Sequence, residues 1–470
     1  MQLNKRLVWI GHITMLLLLL FSILFYRERM LHTDNAYSTF LLVNTASFNL
    51  PHYRYPLILT QLLPLLAVKL QWSLKTIIAL YSANFYVLYY GCFLIALYAY
   101  KNILASWAIL LSLLVCTSEI FFLQTEILHG IVFGITFYAW LHYHLTNENK
   151  ITIIHYGVGA LLFLIAVTFH PLSALFLLFL MLWTALDVKQ QNKNITIPLV
   201  VFGLTILVIV IKSILTPANS YEGSFYPSSS SLWGNIIHIN DSYVLKFFVK
   251  RLNSLYLLPS IMLIVSLIWY AYNKMKLHFG LLMLSALGYI LFVSIFFKGD
   301  STIMTERIFL VYGAIVSVGF VTALIDFSKN YLNKTTPNLI TMLLVASISA
   351  GIIKILEAQK TYNLRLELVK AQAMQAQSKD GTKFYAYTSD FNFPFAMWAN
   401  ACEQLLYSGM YFPDNVKTIY LFNDESDAQK QIAQMDENSF LLVPFYLQLP
   451  DTFLNQKYFK LKSNNYHYLN

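Results

Sequence analysis

Apolar runs of about 20 residues recur from one end of this chain almost to the other, and a run of that length and composition is a membrane-crossing helix. Eleven candidate spans satisfy the length criterion. They are Leu7–Tyr26, Lys75–Tyr98, Ile103–Phe121, Ile127–His144, Ile151–Thr168, Leu172–Leu186, Ile195–Leu215, Leu252–Tyr272, Leu277–Phe297, Ile308–Ile325 and Leu339–Leu356. Leu57–Leu70 is apolar but short, holds Pro64 and ends on Lys69-Leu70, so it reads as a juxtamembrane helix lying in the outer interface; the alternative is a true span, which would invert the topology downstream. Only 12% of the 470 residues are charged, about half the share of a soluble protein. Aromatics reach 16%, enough for interfacial belts and a lined cavity. The net charge of +9 is a matter of topology, not nucleic-acid binding.

With the N-terminus in the cytoplasm, every inner connection carries a lysine: Lys5 beside Arg6, then Lys101, Lys150, Lys189, Lys193, Lys274, Lys276, Lys329 and Lys334. No small-residue cleavage site follows the first span, so that helix reads as retained. The localisation expected is a multi-pass protein of a membrane, the bacterial inner membrane fitting best, with its C-terminal part extracytoplasmic.

The fold class expected is mainly α: a polytopic helix bundle over 1–356 with a small C-terminal α/β domain over 357–470. Glu357–Ser378 and Asn400–Ser408 read as helices, and Lys383–Thr388, Thr418–Phe422 and Phe440–Pro444 as short strands. A serine run, Ser228–Ser231, lies in a long loop around Thr216–Lys246. Cys92, Cys116 and Cys402 have neither zinc nor disulfide spacing.

Chemistry-bearing residues concentrate at the predicted outer helix ends, above all in the first outer loop, 27–56. Asp34 follows the first span closely and can take a proton from an acceptor. Alternatively Thr33 or Asp34 caps a helix through Ala36–Val43. Tyr37, His52 and Arg54 stand in the same loop, and Arg54 can grip a phosphate with both arms or belong to an interfacial belt. Glu126 is an acid at a helix mouth, or a first-turn residue favoured by the helix dipole; Glu119, at the end of the preceding span, is the weaker choice. His170, in His170-Pro171, can donate to a phosphate or sugar, or be an ordinary helix-end residue. Lys298 and Arg307 bracket a short outer loop; Arg307 can stabilise a departing phosphate, or pair with Glu306 at the surface. There is no phosphate-cradling glycine loop, metalloprotease helix or nucleophile elbow, and no pair of broken helices of the kind ion-coupled transporters use.

Taken together these features resemble the GT-C superfamily of polytopic glycosyltransferases, most of all the protein O-mannosyltransferases and the bacterial lipid A aminoarabinose transferases. The residues that carry the resemblance are Asp34-Asn35-Ala36-Tyr37 after the first helix, Tyr55-Pro56-Leu57 opening the juxtamembrane helix, His170-Pro171, and Glu306-Arg307-Ile308-Phe309. The resemblance implies a sugar carried on a polyprenyl phosphate and moved to a glycan, lipid or protein acceptor outside the cytoplasm. Asp34 would be the base, with Arg307 and Arg54 or Lys298 on the phosphate. No cofactor is fixed, since the divalent-metal requirement varies between branches. Where many members have a second acid this chain has Asn35: either Glu126 supplies that carboxylate, or the chain is a catalytically inactive GT-C-like scaffold that presents its C-terminal domain to an envelope partner.

Overall fold

A computed structural model describes residues 2–51, 54–147, 152–217, 229–297, 302–330, 336–391, 397–443, 448–462 and 464–469. Ser228, the first residue of the serine run, lies outside them, as do His52 and Lys298. The chain is mainly helical with a small C-terminal sheet.

Helix α1 (Gln2–Leu24) leads through α2 (Tyr26–Met30) into α3 (Thr33–Thr45), the helix of the first loop. Next come α4 (Leu57–Lys69), a short apolar helix at the expected place, and α5 (Leu74–Leu94). Pro64 has no N–H for the Thr60 carbonyl one turn back, and Asn84 of α5 repairs the gap: its Nδ2 donates to Thr60 O at 2.7 Å and Leu59 O at 3.1 Å. A side chain from the neighbouring helix thus fixes the proline-containing helix beside the loop.

Helix α6 (Ile103–Ser112) is shorter than the expected span Ile103–Phe121. After it the chain turns, then forms one tight turn at Glu119–Phe121. This broken segment threads between two helices that follow. A Cβ on Gly313 would lie 2.6 Å from Cys116 Sγ, and one on Gly351 would lie 2.9 Å from the Leu114 carbonyl oxygen. Two glycines therefore make the room that lets irregular backbone run through the core.

Helix α7 (Glu126–Thr146) is the most enclosed part of the bundle, buried without interruption from Ile127 to Leu141. Helices α8 (Ile153–Thr168), α9 (Pro171–Gln190) and α10 (Thr196–Leu215) follow. Gly130 lets α9 come close, since a Cβ there would meet Ser173 Oγ at 2.2 Å. Helix α10 packs on α9 and leaves most of its apolar surface exposed. Short helices α11 (Ser229–Ile237) and α12 (Tyr243–Lys250) precede α13 (Leu257–Tyr272), α14 (Lys276–Phe296), α15 (Thr302–Ile308) and α16 (Leu310–Asn330). The bundle ends in α17 (Thr336–Gln377), one helix of 42 residues that passes Leu356 and Glu357 without a break.

Among the described residues seven helices are long and apolar enough to cross a membrane: α1, α5, α9, α10, α14, α16 and α17. That is compatible with a multi-pass membrane protein. The eleven expected spans reduce to these seven because α6, α8 and α13 are shorter apolar helices and α7, which carries three histidines, falls below the same apolarity.

The C-terminal unit contains three parallel strands in the order β2–β1–β5: β1 (Lys383–Tyr387), β2 (Thr418–Phe422) and β5 (His467–Tyr468). Helix α18 (Asn400–Tyr411) joins β1 to β2, α19 (Glu425–Ile432) follows, and β3 (Ser439–Phe440) with β4 (Leu449–Pro450) forms a two-stranded ribbon. The third expected strand is thus only two residues long.

This unit is locked onto α3 and the α4–α5 connection. Phe40 packs on Phe459, ring centres 5.2 Å apart. Asn44 donates to Phe453 O and accepts from Asn455 N, both at 2.8 Å. Tyr458 OH reaches Trp72 O at 3.0 Å. Helix α3 is a slab between bundle and C-terminal unit, which fixes its place on both sides.

Candidate functional site

Residues far apart in the chain meet where α3, α7, α9 and α15 share one end of the bundle. Asp34, in the first turn of α3, is joined to Arg307 of α15, 273 residues away, by Nη2 to Oδ2 at 2.8 Å. Glu126, in the first turn of α7, is joined to Arg54 by Nη1 to Oε1 at 2.9 Å. Both carboxylates line an open cavity of about 510 Å³, together with Ser38, Thr60, Gln61 and Gln124. Gln61 holds the loop wall in place: Oε1 accepts from Asn49 N at 2.7 Å and Nε2 donates to Asn49 O at 2.6 Å.

The electrostatics follow from burial against pairing. Burial would push the Glu126 carboxyl up, but the Arg54 cation outweighs it, helped by the backbone at the start of α7, and brings it down to about 2. His170 is pulled down to about 3, chiefly by burial, then by Arg54, with Lys212 and Arg307 adding to it against the opposing pull of Glu126. It caps α9, its Nδ1 accepting from Leu172 N at 3.1 Å. A neutral imidazole whose Nδ1 accepts carries its proton on Nε2 and can donate there. Glu126, Arg54, His170 and Arg307 therefore lie within each other's fields, and Glu126 among them lines the cavity.

The supports behind this set are unusually well tied. Glu306 does not pair with Arg307 at a surface. It is buried, its Oε1 accepts from Ser118 N at 2.8 Å and Ile120 N at 3.2 Å, and its Oε2 accepts from Ser118 Oγ at 3.1 Å. That anchor fixes α15 to the broken segment after α6 and so aims the next residue, Arg307. Glu119 stands behind the site, its carboxyl raised to about 7 by burial and by the charge of Glu306. Arg29 is buried with its guanidinium 5.0 Å from the Tyr86 ring centre and 4.6 Å from that of Phe121. Burial lowers it to about 10, so it stays charged at neutral pH.

Two readings of the sequence are corrected here. Neither Thr33 nor Asp34 caps α3: the cap position is His32, and the Asp34 carboxylate is turned to Arg307. Tyr37 does not line the cavity; its ring meets Trp398 of the C-terminal unit edge-on at 5.6 Å. Asp34, Arg54, Glu126, His170 and Arg307 are brought together. Lys298 and His52 lie outside the described residues.

Asn35 is a brace. Its Nδ2 donates to Arg29 O at 2.6 Å and Phe122 O at 2.8 Å, and its Oδ1 accepts from Gln124 N at 3.3 Å. It ties α2, α3 and the lead-in to α7 into one corner. Sequence reasoning missed this role, and missed Ser38, Thr60 and Gln61 as cavity residues, because each is an ordinary uncharged polar residue that no motif singles out.

Among the described residues no group of three or more His, Cys, Asp or Glu side chains is placed to hold a metal. The two cavity carboxylates each face an arginine. This donor set does not fit a divalent cation. No family model, curated protein or solved structure matches this chain.

Proposed function

We propose that this protein is an inverting glycosyltransferase that takes a sugar from a polyprenyl-phosphate donor, on the extracytoplasmic face of a membrane. The observation that carries the reading is the juxtaposition of Asp34 and Arg307, a carboxylate and a guanidinium 2.8 Å apart at the rim of a polar cavity, among helices apolar enough for lipid. In this reading the acceptor hydroxyl gives its proton to Asp34 as its oxygen bonds to the anomeric carbon. The bond from that carbon to the phosphate oxygen breaks, and the lipid phosphate leaves with the electron pair. Arg307, whose planar guanidinium suits two oxyanions, takes the developing charge as Asp34 becomes neutral. Glu126 and Arg54 stay paired and shape the opposite wall. His170, neutral with its proton on Nε2, offers a hydrogen bond to the phosphate or the sugar.

The brace made by Asn35 supports this reading, because it accounts for the amide without loss of catalysis, and Glu126 is the second carboxylate at the cavity. The test is Asp34→Asn in the purified full-length chain in lipid, given polyprenyl-phosphate-linked sugars. Transfer should fall by about 100-fold or more while insertion and melting stay at the parent level. Full transfer by that variant ends the assignment.

A further inference from the structure

Glu403 lies in α18, outside the cavity, and its side chain is completely buried. Its Oε1 accepts two hydrogen bonds. One comes from the backbone N–H of Thr33 at 2.9 Å, across 370 residues of chain, and one from Arg365 Nη2 of α17 at 2.6 Å. A buried carboxylate is costly unless paired and hydrogen-bonded, and here it is both.

Thr33 is an unusual place for such an anchor. It opens α3 with φ of 35°, in the left-handed region that β-branched residues avoid. The first N–H groups of a helix have no acceptor within it. The cap, His32, supplies none from its side chain, because its Nδ1 is engaged with Thr33 Oγ1 at 2.8 Å. Glu403 therefore supplies, from the C-terminal unit, an acceptor for the first N–H of α3, one that the helix itself leaves unsatisfied. Its negative charge sits at the positive end of the helix dipole. A strained residue keeps its conformation only where its surroundings over-determine it, and the next residue is Asp34.

We infer that Glu403 is a positioning residue for Asp34: by holding the Thr33 amide it sets how α3 leaves the bend and so where the Asp34 carboxylate meets Arg307. The C-terminal unit is on this view a working part of the site. The catalytic meaning of that placement rests on the function proposed above; the placement itself does not.

The test is a thiol reporter in the full-length chain in lipid nanodiscs. Ser38→Cys puts a thiol one turn beyond Asp34 on the cavity wall, and the native cysteines Cys92, Cys116 and Cys402 are all buried. The rate of its modification by a small anionic methanethiosulfonate is read in three backgrounds. Glu403→Leu with Arg365→Met removes both charges in an exchange that buried pairs commonly tolerate. It should change the rate by about fivefold, the scale expected when one buried hydrogen bond is lost. Adding Thr33→Gly, which takes a positive φ without a Cβ penalty, should bring the rate back to within about twofold of the parent. Glu403→Gln keeps an acceptor for the Thr33 amide and should stay within about twofold as well. Should the double variant fail to insert, Glu403→Asp takes its place. It keeps the charge beside Arg365 but withdraws the oxygen by one methylene, and it should show the same shift and the same rescue. A parent-like rate in the variant that inserts, or a shift that Thr33→Gly leaves untouched, overturns the inference. The reporter needs no sugar. Absence of transfer by the parent chain would sink the glycosyltransferase reading and leave this result standing.

Discussion

Asn35 directly follows Asp34 in α3, and its surroundings explain why a second acid would fail there. Its amide nitrogen donates to two backbone carbonyls. Asn35→Asp would set a carboxylate against both oxygens, and we expect a loss of about 3 kcal/mol, read as a lower melting temperature in detergent. His170 gives a pH signature. Its imidazole titrates near 6.5 when unfolded and near 3 in the fold, so the unfolded chain binds more protons between those values. Its contribution to stability is complete above pH 6.5 and drains away as pH falls toward 3. Glu126, lowered from 4.5 to about 2, adds stability above 4.5 that is lost as pH falls toward 2. His170→Asn keeps an acceptor for Leu172 N and removes the imidazole. Between pH 6.5 and 4.5 its melting temperature should depend on pH less steeply than that of the parent. Asp34 and Arg307 were legible in the sequence because each is a charge at the mouth of an apolar run. The brace of Asn35 was not, because its partner carbonyl on Phe122 lies 87 residues away.

At the scale of elements, α4 and α5 form a repaired pair. Asn84→Leu should orphan the Thr60 carbonyl and cost about 2 kcal/mol. Pro64→Ala restores the missing N–H, so the double variant should recover most of that loss, and a double-mutant cycle on thermal melts in detergent measures it. The sequence marked Leu57–Leu70 as a short helix with a proline inside, and that reading holds. It gave no sign of the break after Ser112, since Leu113-Leu114-Val115-Cys116 is as apolar as the helix before it. The cause is in two other helices, where Gly313 and Gly351 open the passage. In the C-terminal unit, the aromatic-rich run Lys383–Tyr387 and the β-branched and aromatic run Thr418–Phe422 revealed β1 and β2. Strands as short as β3, β4 and β5 carry too few residues for a period to register.

Across the whole molecule, the C-terminal unit is fastened to α3 by Phe459, Asn455 and Glu403 and to α17 by Arg365. We expect both parts to unfold in one transition, so that tryptophan fluorescence and protease resistance of residues 378–470 are lost at the same temperature. An earlier, separate melting of the C-terminal unit would contradict this. Composition alone separates apolar from polar sequence near Leu356 and so proposes a boundary there. Helical continuity overrides it, because Ala, Leu, Glu, Lys and Gln carry the helix on when the lipid-like composition stops.

Helix α17 is a rod. Its 42 residues span about 63 Å at the rise of an α-helix, roughly twice the thickness of a hydrocarbon layer. Tyr362 and Arg365 ride on the shaft: the Tyr362 ring is 4.9 Å from His32 and stacks 4.7 Å from Phe122, and Arg365 grips Glu403. A torque applied to the C-terminal unit by anything it touches would travel down this lever to the bend before Asp34.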